Sequence, residues 1–181
     1  MYPGMDMTER MVEHTCPYQG VIVDVNLDKA VLPNGKEAKR EVVVHPGGAA
    51  ALPLNDDGTV TVVRQFRYPF GRVLTEIPAG KLERGEDPCK AIVRELEEEI
   101  GAKVGELIDL GCVYTSPGIT QEVLYLYLAR GLTYGECCPD EDEFLEIDRV
   151  PFEDLLRQVM DGEIKDAKTV AAVLKTKLLL K

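Results

Sequence analysis

The sequence predicts an α+β fold in which a mixed β-sheet lies between helices. Strand-like runs dominate the chain, one amphipathic helix interrupts them near the middle, and helical patterns occupy the C-terminal end. This order is not the regular alternation of strand and helix that builds a doubly wound parallel sheet. The length of 181 residues, with 45% hydrophobic and 29% charged residues, is enough for a domain of ordinary size with its own core.

The N-terminal half of the chain is predicted to form strands joined by turns. The runs VIVDV and REVVV flank the segment LPNGKEA, in which Asn34 and Gly35 give a strong hairpin signal. Further strands are predicted at residues 49–54, 59–66 and 73–77. The first eighteen or so residues carry no clear pattern.

A central helix is predicted to begin after Asp87. Aspartate is a good N-cap, Pro88 suits the first helical position, and Gly101 ends the helix. Its apolar residues fall on one stripe, which predicts the buried face: Cys89, Ile92, Leu96 and Ile100. Strands are then predicted at 107–113, 123–129 and 143–150, followed by helices at about 152–160 and 167–180.

The charge balance argues against a nucleic-acid-binding role. Acidic residues number 32 and basic residues 21, which gives a net charge of −11. Phosphate backbones require clustered Lys and Arg, and the sequence has no basic patch with interleaved aromatic residues. A small anionic ligand is compatible with this charge if metal cations stand between it and the protein.

The cysteines and the hydropathy pattern predict a cytoplasmic protein. Five cysteines without a C-x-x-C pair, and only two histidines, disfavour a structural zinc site and fit a reducing compartment. The adjacent Cys137 and Cys138 are interpreted as two free thiols rather than a redox switch. No signal peptide and no apolar run of membrane-spanning length is apparent, so no membrane partner is expected.

Carboxylates crowd the C-terminal end of the predicted central helix. Glu95, Glu98 and Glu99 share one face, away from the apolar stripe, and Lys103 is the one basic residue placed to relieve it, through Glu99. A solvated acidic face is the simplest interpretation. The helix dipole, however, disfavours anions at this end, so the cluster predicts a bound cation, and carboxylate oxygens suit Mg²⁺ or Mn²⁺.

The residues around this cluster match the longer pattern G-x5-E-x7-R-E-U-x-E-E-x-G-U, where U is a bulky aliphatic or similar residue. Every position is filled, by Gly80, Glu86, Arg94, Glu95, Leu96, Glu98, Glu99, Gly101 and Ala102. The pattern resembles the Nudix box, the signature of the Nudix hydrolases. The resemblance implies an α/β/α sandwich and metal-dependent hydrolysis of a nucleoside diphosphate linked to another group.

The resemblance also implies the metal ligands. Glu95 and Glu99 are the main ones, Glu98 assists them and is a candidate catalytic carboxylate, and the Ala79 carbonyl is a backbone ligand. Gly80 would allow that backbone to approach the metal. The metals would neutralise the pyrophosphate and activate water, and a carboxylate would deprotonate that water.

Structural roles are implied for Glu86 and Arg94, which would pair to hold the loop against the helix; the alternative is a surface ion pair of little energetic value.

Pro117 lies 16 residues after Gly101, within S-P-G-x-x-x-E, and a proline at this spacing resembles the pattern of the ADP-ribose pyrophosphatase subfamily. An ordinary Pro-Gly turn would look similar. The stretches LPNGKEAKREVVVHPG, VRQFRYPFG and TEIPAGKLERGE also resemble bacterial members, so the resemblance runs from about Gly20 to the C-terminus.

The subfamily resemblance implies four substrate-binding residues. Arg67 and Arg40 are implied contacts, since guanidinium groups suit phosphate recognition and stacking on adenine. Arg40 could equally be a solvent-facing strand residue. Glu76 and Glu122 are implied active-site carboxylates near the substrate, and the alternative for each is a polar strand end.

The catalytic base is implied to lie in a later acidic loop, PDEDEFLE. It is not implied to lie in the central helix that carries the box glutamates, called the box helix below. Glu141 is at the position matched to the base, and Glu143 matches a further metal ligand. The register of the loop leaves these two roles exchangeable, and composition alone would favour a solvated acidic loop.

The resemblance implies hydrolysis of ADP-ribose to AMP and ribose 5-phosphate. The alternatives are another nucleoside diphosphate sugar, a dinucleoside polyphosphate or a nucleotide triphosphate, and, in a different class, a sensor that binds such ligands without turnover. It further implies a homodimer that exchanges N-terminal sheet regions, with residues 1–45 as the dimerising β region and 46–181 as the hydrolase domain.

Overall fold

We analysed a computed structural model that describes Gly4 and residues 6–138 and 144–180. The chain forms two compact units. One comprises the residues up to Pro46 together with Tyr114–Glu122, and the other comprises Gly47–Val113 and the residues from Val123 onward. Within the described ranges, no helix has both the length and the apolar character needed to cross a membrane.

The first unit contains a three-stranded antiparallel sheet of β1 (Arg10–Gln19), β2 (Asp24–Val31) and β3 (Glu37–Val44), in that order. The predicted hairpin turn is confirmed: the Gly35 amide donates to the Leu32 carbonyl over 2.8 Å, and Gly35 has a φ of 80°. Strand β2 begins at Asp24, inside the VIVDV run, and continues to Val31, paired with β3 throughout. Strand β1 was missed because nearly all of its side chains are exposed, so it carries no hydrophobic alternation.

The second unit is built on a mixed sheet, as predicted. Its strands are β4 (Gly48–Pro53), β7 (Ala79–Lys81), β9 (Glu106–Tyr114) and β10 (Val123–Arg130), in the order β7-β4-β10-β9. Strand β4 is parallel to β10 and antiparallel to β7. The short β7 was not predicted, because three residues between a proline and a turn give no periodic signal.

The second unit also contains an antiparallel sheet of three strands. Its order is β12-β5-β6, with β5 at Thr59–Arg67, β6 at Arg72–Glu76 and β12 at Leu145–Pro151. A small antiparallel pair joins β8 (Ala102–Lys103) to β11 (Thr133–Tyr134).

Helices cover both faces of strand β4. The helices are α1 (Pro88–Ile100), α2 (Phe152–Met160) and α3 (Ala167–Leu179). Because side chains alternate along a strand, Ala49 and Ala51 pack into one cluster with residues of α1, whereas Ala50 and Leu52 pack into another with residues of α2 and α3. This arrangement confirms the prediction of a sheet between helices.

The ends of α1 agree with the prediction, and its faces agree in part. Asp87 caps the helix by accepting from the Cys89 and Lys90 amides over 2.9 and 3.1 Å, and Gly101 ends it in the left-handed region with a φ of 65°. Ile92, Leu96 and Ile100 are buried as predicted, but Cys89 is exposed and Ala91 is buried instead. Cys89 lies in the first turn of the helix.

Candidate active site

The carboxyl end of α1 lies against strand β7 at Gly80. A Cβ atom built on Gly80 would lie 1.9 Å from Oε1 of Glu95. The Glu95 side chain is only 13% exposed, so its carboxylate rests on the glycine backbone. Only glycine leaves room for that carboxylate at this position.

Glu99 is the most deeply enclosed of the clustered carboxylates. It is 4% exposed, and its Oε2 accepts a hydrogen bond from the Ala79 amide over 3.2 Å. A solvated acidic face therefore does not describe this residue, and the expectation that all three glutamates point away from the core is wrong for Glu99. Burying a carboxylate is unfavourable without compensating partners, and the strand β7 backbone supplies one of them.

Arg94 lies among three carboxylates. Its Nη1 is 2.8 Å from Oε2 of Glu98 and 3.0 Å from Oε1 of Glu95, and its Nη2 is 3.4 Å from Oε1 of Glu86. Partial burial opposes the charge of Arg94, but attraction to Glu95, Glu98 and Glu86 outweighs it and raises the pKa of Arg94. One guanidinium thus faces three carboxylates, which leaves negative charge in excess.

The pairing of basic residues with the glutamates of α1 differs from the sequence prediction. Lys103 lies 3.8 Å from Oε1 of Glu97, not beside Glu99 as predicted. Arg94 is the basic residue that meets a clustered carboxylate at i+4 spacing, through Glu98. That spacing is visible in the sequence and was overlooked, since Arg94 precedes the glutamates instead of following them.

Glu86 joins the loop before α1 to the helix itself. Its Oε2 accepts from the Glu83 amide over 2.9 Å, and its own amide donates to the Glu83 carbonyl over 3.0 Å. Its Oε1 faces Arg94, so the same carboxylate closes the loop and ties it to α1.

The segment that leads to the acidic loop is fixed to the end of α1. The Gly135 amide donates to the Gly101 carbonyl over 2.8 Å, and the Cys138 amide donates to the Glu98 carbonyl over 3.0 Å. A Cβ on Gly101 would lie 2.6 Å from the Gly135 carbonyl oxygen, so glycine is needed here for space as well as for its φ. Glu141 and Glu143 lie outside the described residues.

Arg67 and Glu76, both predicted to bind substrate, bind each other. Arg67 donates from Nε and Nη2 to the two Glu76 oxygens over 2.8 and 2.7 Å. Glu76 is 2% exposed, whereas the Arg67 side chain is 39% exposed. The hydrogen bonds to Glu76 raise the pKa of Arg67, burial opposes that rise, and the charges of Asp166 and Glu99 add to it. Of the clustered carboxylates on α1, Glu99 therefore contributes to the pKa of Arg67.

Lys168 is a second cation on Glu76 that sequence analysis missed. Its Nζ contacts Glu76 Oε2 and lies 2.9 Å from Oδ1 of Asp166, and the residue is buried. Burial alone would raise the pKa of Glu76, but hydrogen bonds from Arg67 and the charge of Lys168 lower it to about 2. A lysine in a helical tail gives no sequence signal for such a contact, because the distance in sequence is 92 residues.

The other predicted site residues belong to the first unit. Arg40, on β3, forms a two-bond ion pair with Glu9, over 2.9 and 2.7 Å. Glu122 accepts from the Thr115 hydroxyl over 2.6 Å and lies 3.3 Å from Nδ1 of His45. Pro117 lies in a turn in which the Ser116 carbonyl accepts from the Ile119 and Thr120 amides over 3.0 and 2.9 Å.

The donor set on α1 suits a hard divalent cation. Among residues 6–138 and 144–180, no three Asp, Glu, His or Cys side chains are arranged to hold a metal ion. The chemistry nevertheless fits: three carboxylates share one guanidinium, no basic residue stands in the last turn of α1, and the space beside Gly80 is kept for the Glu95 carboxylate. Carboxylate oxygens with this excess charge are ligands for Mg²⁺ or Mn²⁺.

Comparisons with known proteins agree with this geometry. A NUDIX domain match covers residues 44–173. The chain is 42% identical to an ADP-ribose pyrophosphatase of Bacillus subtilis over 169 residues, which is 92% of this chain and 91% of that protein. It is 38% identical to a methanol dehydrogenase activator of Bacillus methanolicus, covering 94% and 93% of the two chains. It is 36% identical to an ADP-ribose pyrophosphatase of Mycobacterium tuberculosis, covering 87% and 77%.

The low pKa of Glu76 predicts how stability depends on pH. The ordinary pKa of a glutamate is 4.5, and the pKa of Glu76 is about 2 in the folded chain, so this carboxyl group stabilises the fold above pH 4.5. That stabilisation, on the order of 3 kcal/mol, decreases as pH falls from about 4.5 towards 2. Urea unfolding of wild type and Glu76→Gln should give a difference in unfolding free energy that is largest above pH 4.5 and narrows below it. A difference that stays constant between pH 5 and 3 would contradict the assignment.

The contact between Gly80 and Glu95 predicts the effect of a single methyl group. Gly80→Ala should displace the Glu95 carboxylate and weaken Mn²⁺ binding by about 100-fold, because ligand positions matter at the ångström scale. The thermal midpoint should change little, since the displaced atoms are the end of a flexible side chain. Calorimetric titration with Mn²⁺ measures the effect. Gly135→Ala is the matched control, because among the described residues a Cβ there would meet only the Gly101 oxygen, at 4.0 Å.

Proposed function

The chain belongs to the Nudix hydrolase family, and we propose that it hydrolyses the pyrophosphate bond of ADP-ribose to give AMP and ribose 5-phosphate. The observation that carries this proposal is the arrangement of α1 on β7, with Glu95 against Gly80 and Glu99 against the Ala79 amide. The similarity to two ADP-ribose pyrophosphatases over most of the chain supports the choice of substrate.

We propose that Glu95 and Glu99 hold Mg²⁺ or Mn²⁺, with help from Glu98 and the Ala79 carbonyl. Bound there, the metal supplies the positive charge that neutralises a pyrophosphate and lowers the pKa of a water molecule. Arg94 holds Glu95 and Glu98 in place from the side, and Glu86 holds Arg94. The residues of the box thus divide into those that would bind the cation and those that position them.

Arg67 is proposed to bind the substrate directly. Its Nε and Nη2 are occupied by Glu76, and Nη1 is the guanidinium nitrogen that lies outside this pair of bonds. A guanidinium fixed in this way suits a phosphate oxygen or the face of an adenine. Glu76 then acts by holding Arg67. Arg40 and Glu122 are proposed as further substrate contacts on the strength of the family resemblance.

Glu141 is proposed as the base that deprotonates the attacking water, and Glu143 as a further metal ligand. What supports this is the anchoring of the preceding segment, since the Cys138 amide bonds to the carbonyl of Glu98 on the box helix. The residue that precedes the acidic loop is therefore bonded to the backbone of the helix that carries Glu95, Glu98 and Glu99.

The enzyme is proposed to be a cytoplasmic homodimer that exchanges its N-terminal sheet regions. All five cysteines are free, which suits a reducing compartment. Strand β1 is almost wholly exposed along its ten residues, and Met11, Val12 and Tyr18 present apolar surface there. Light scattering should give twice the mass of the 20.1 kDa chain. A fully active monomer would reject the exchange.

A second candidate function is activation of a methanol dehydrogenase, favoured by the similarity to the protein of that name. Two separate assays distinguish these candidate functions. One measures the AMP released from ADP-ribose, and the other measures the rate of a methanol dehydrogenase with and without the chain. A panel of other nucleotide sugars, dinucleoside polyphosphates and nucleotide triphosphates tests the substrate. Binding of ADP-ribose with no product from any of these would indicate a sensor.

Neutralising one box glutamate should abolish metal-dependent AMP release. Glu99→Gln is expected to lower kcat by at least about 100-fold, because a divalent cation contributes several kcal/mol to charge stabilisation. Glu97→Gln is the matched control: Glu97 lies on the same helix and is 57% exposed. EDTA should abolish AMP release by the wild type. Equal activity of the Glu97 and Glu99 variants would contradict the proposed metal site.

The proposed role of Glu141 as the base predicts that its substitution lowers turnover and leaves substrate binding nearly unchanged. Glu141→Gln should lower kcat by roughly 100-fold or more while KM for ADP-ribose stays nearly unchanged, since a general base acts on the chemical step. Glu143→Gln should instead raise the Mn²⁺ concentration needed for half-maximal rate. Near-normal turnover by Glu141→Gln would refute the assignment, and the reverse pattern would exchange the two roles.

A further inference from the structure

We propose that the first turn of α3 positions the active site: Lys168 acts through Glu76 on Arg67, and Thr169 acts through Ile77 on the Ala79–Gly80 backbone. This inference rests on the proposed function, because it assigns a purpose to groups that do not themselves touch substrate. Lys168 and Thr169 are therefore positioning residues.

Lys168 fixes the carboxylate that holds Arg67. The residue is buried, and its ammonium contacts Glu76 and Asp166. Glu76 Oε2 receives both Lys168 and Arg67 Nη2, while Oε1 receives Arg67 Nε. A carboxylate enclosed in this way cannot turn without breaking an ionic contact. The two parallel bonds from Arg67 then hold the guanidinium in the plane of the carboxylate.

Thr169 fixes the backbone that follows Glu76. Its hydroxyl donates to Asp166 Oδ2 over 2.6 Å and accepts from the Ile77 amide over 2.9 Å. Two residues further on, the Ala79 amide bonds to Glu99. The chain from Glu76 to Ala79 is thus held at one end by α3 and at the other by the box helix, which sets the position of the Ala79 carbonyl.

The two anchoring residues predict different kinetic effects. Lys168→Met should raise KM for ADP-ribose by about tenfold with little change in kcat, because Glu76, the partner of Arg67, is no longer held by Lys168. Lys168→Arg should restore most of the affinity. Lys165→Met is the matched control, since Lys165 is exposed and precedes the same helix. An unchanged KM in Lys168→Met, or an equal rise in Lys165→Met, would overturn the role of Lys168.

Lys168→Met leaves Glu76 with one cation in a buried position, and the variant could fail to fold for that reason. The double variant Glu76→Gln/Lys168→Met removes both charges and avoids a lone buried carboxylate. It also removes the ionic partner of Arg67, so KM should rise in the folded protein. A folded double variant with wild-type KM would overturn the proposal.

Thr169→Val tests the backbone anchor without relying on turnover. It should speed hydrogen exchange of the Ile77 amide, measured by NMR. It should also weaken Mn²⁺ binding by roughly fivefold, as expected when the backbone loses its hydrogen bond to Thr169. Thr176→Val is the control on the same helix: Thr176 is fully buried, and its hydroxyl makes no hydrogen bond to the described residues. Equal hydrogen exchange rates of the Ile77 amide and equal Mn²⁺ affinities in the two variants would contradict the proposed role of Thr169.

These readouts separate the inference from the proposed function. If the wild type releases no AMP from ADP-ribose, the proposed function fails, whereas Ile77 exchange and Mn²⁺ affinity still decide on the anchor. If the wild type cleaves a different nucleoside diphosphate, that substrate replaces ADP-ribose in the KM comparison of the Lys168 variants.

Discussion

The structure depends on one contact, in which the carboxyl end of α1 rests on the backbone of β7. Gly80 leaves the space that the Glu95 carboxylate fills, and the Ala79 amide binds the buried Glu99. Carboxylates at this end of a helix are opposed by the helix dipole, and Arg94 offsets only part of their charge. We propose that a bound divalent cation makes favourable an arrangement that is unfavourable for the isolated helix.

The same backbone is held from the opposite layer of the sandwich. Strand β4 separates α1 from α2 and α3. The chain from Ile77 to Ala79 is nevertheless bonded to both layers, to Thr169 of α3 and to Glu99 of α1. The buried network of Arg67, Glu76 and Lys168 lies at this connection. Removal of one member of such a network takes a partner away from a buried charge, so these contacts couple stability to the geometry of the site.

Sequence patterns predicted the parts of the molecule that depend on local signals. The limits of α1 follow from Asp87, Pro88 and Gly101, and the box residues follow from fixed spacing along one helix. The contacts of Glu99 with Ala79, and of Lys168 with Glu76, join residues 20 and 92 positions apart, and only the folded chain brings them together. Strand β1 escaped prediction because its side chains are exposed on both faces.

The crowded carboxylates of α1 are proposed to form a divalent cation site. Its most direct test is a Mn²⁺ titration followed by electron paramagnetic resonance, without substrate, on wild type, Glu95→Gln/Glu99→Gln and Glu97→Gln. We expect wild type and Glu97→Gln to bind Mn²⁺ with equal affinity and the double variant to bind at least about 100-fold more weakly. Equal Mn²⁺ affinity in all three proteins would contradict the account.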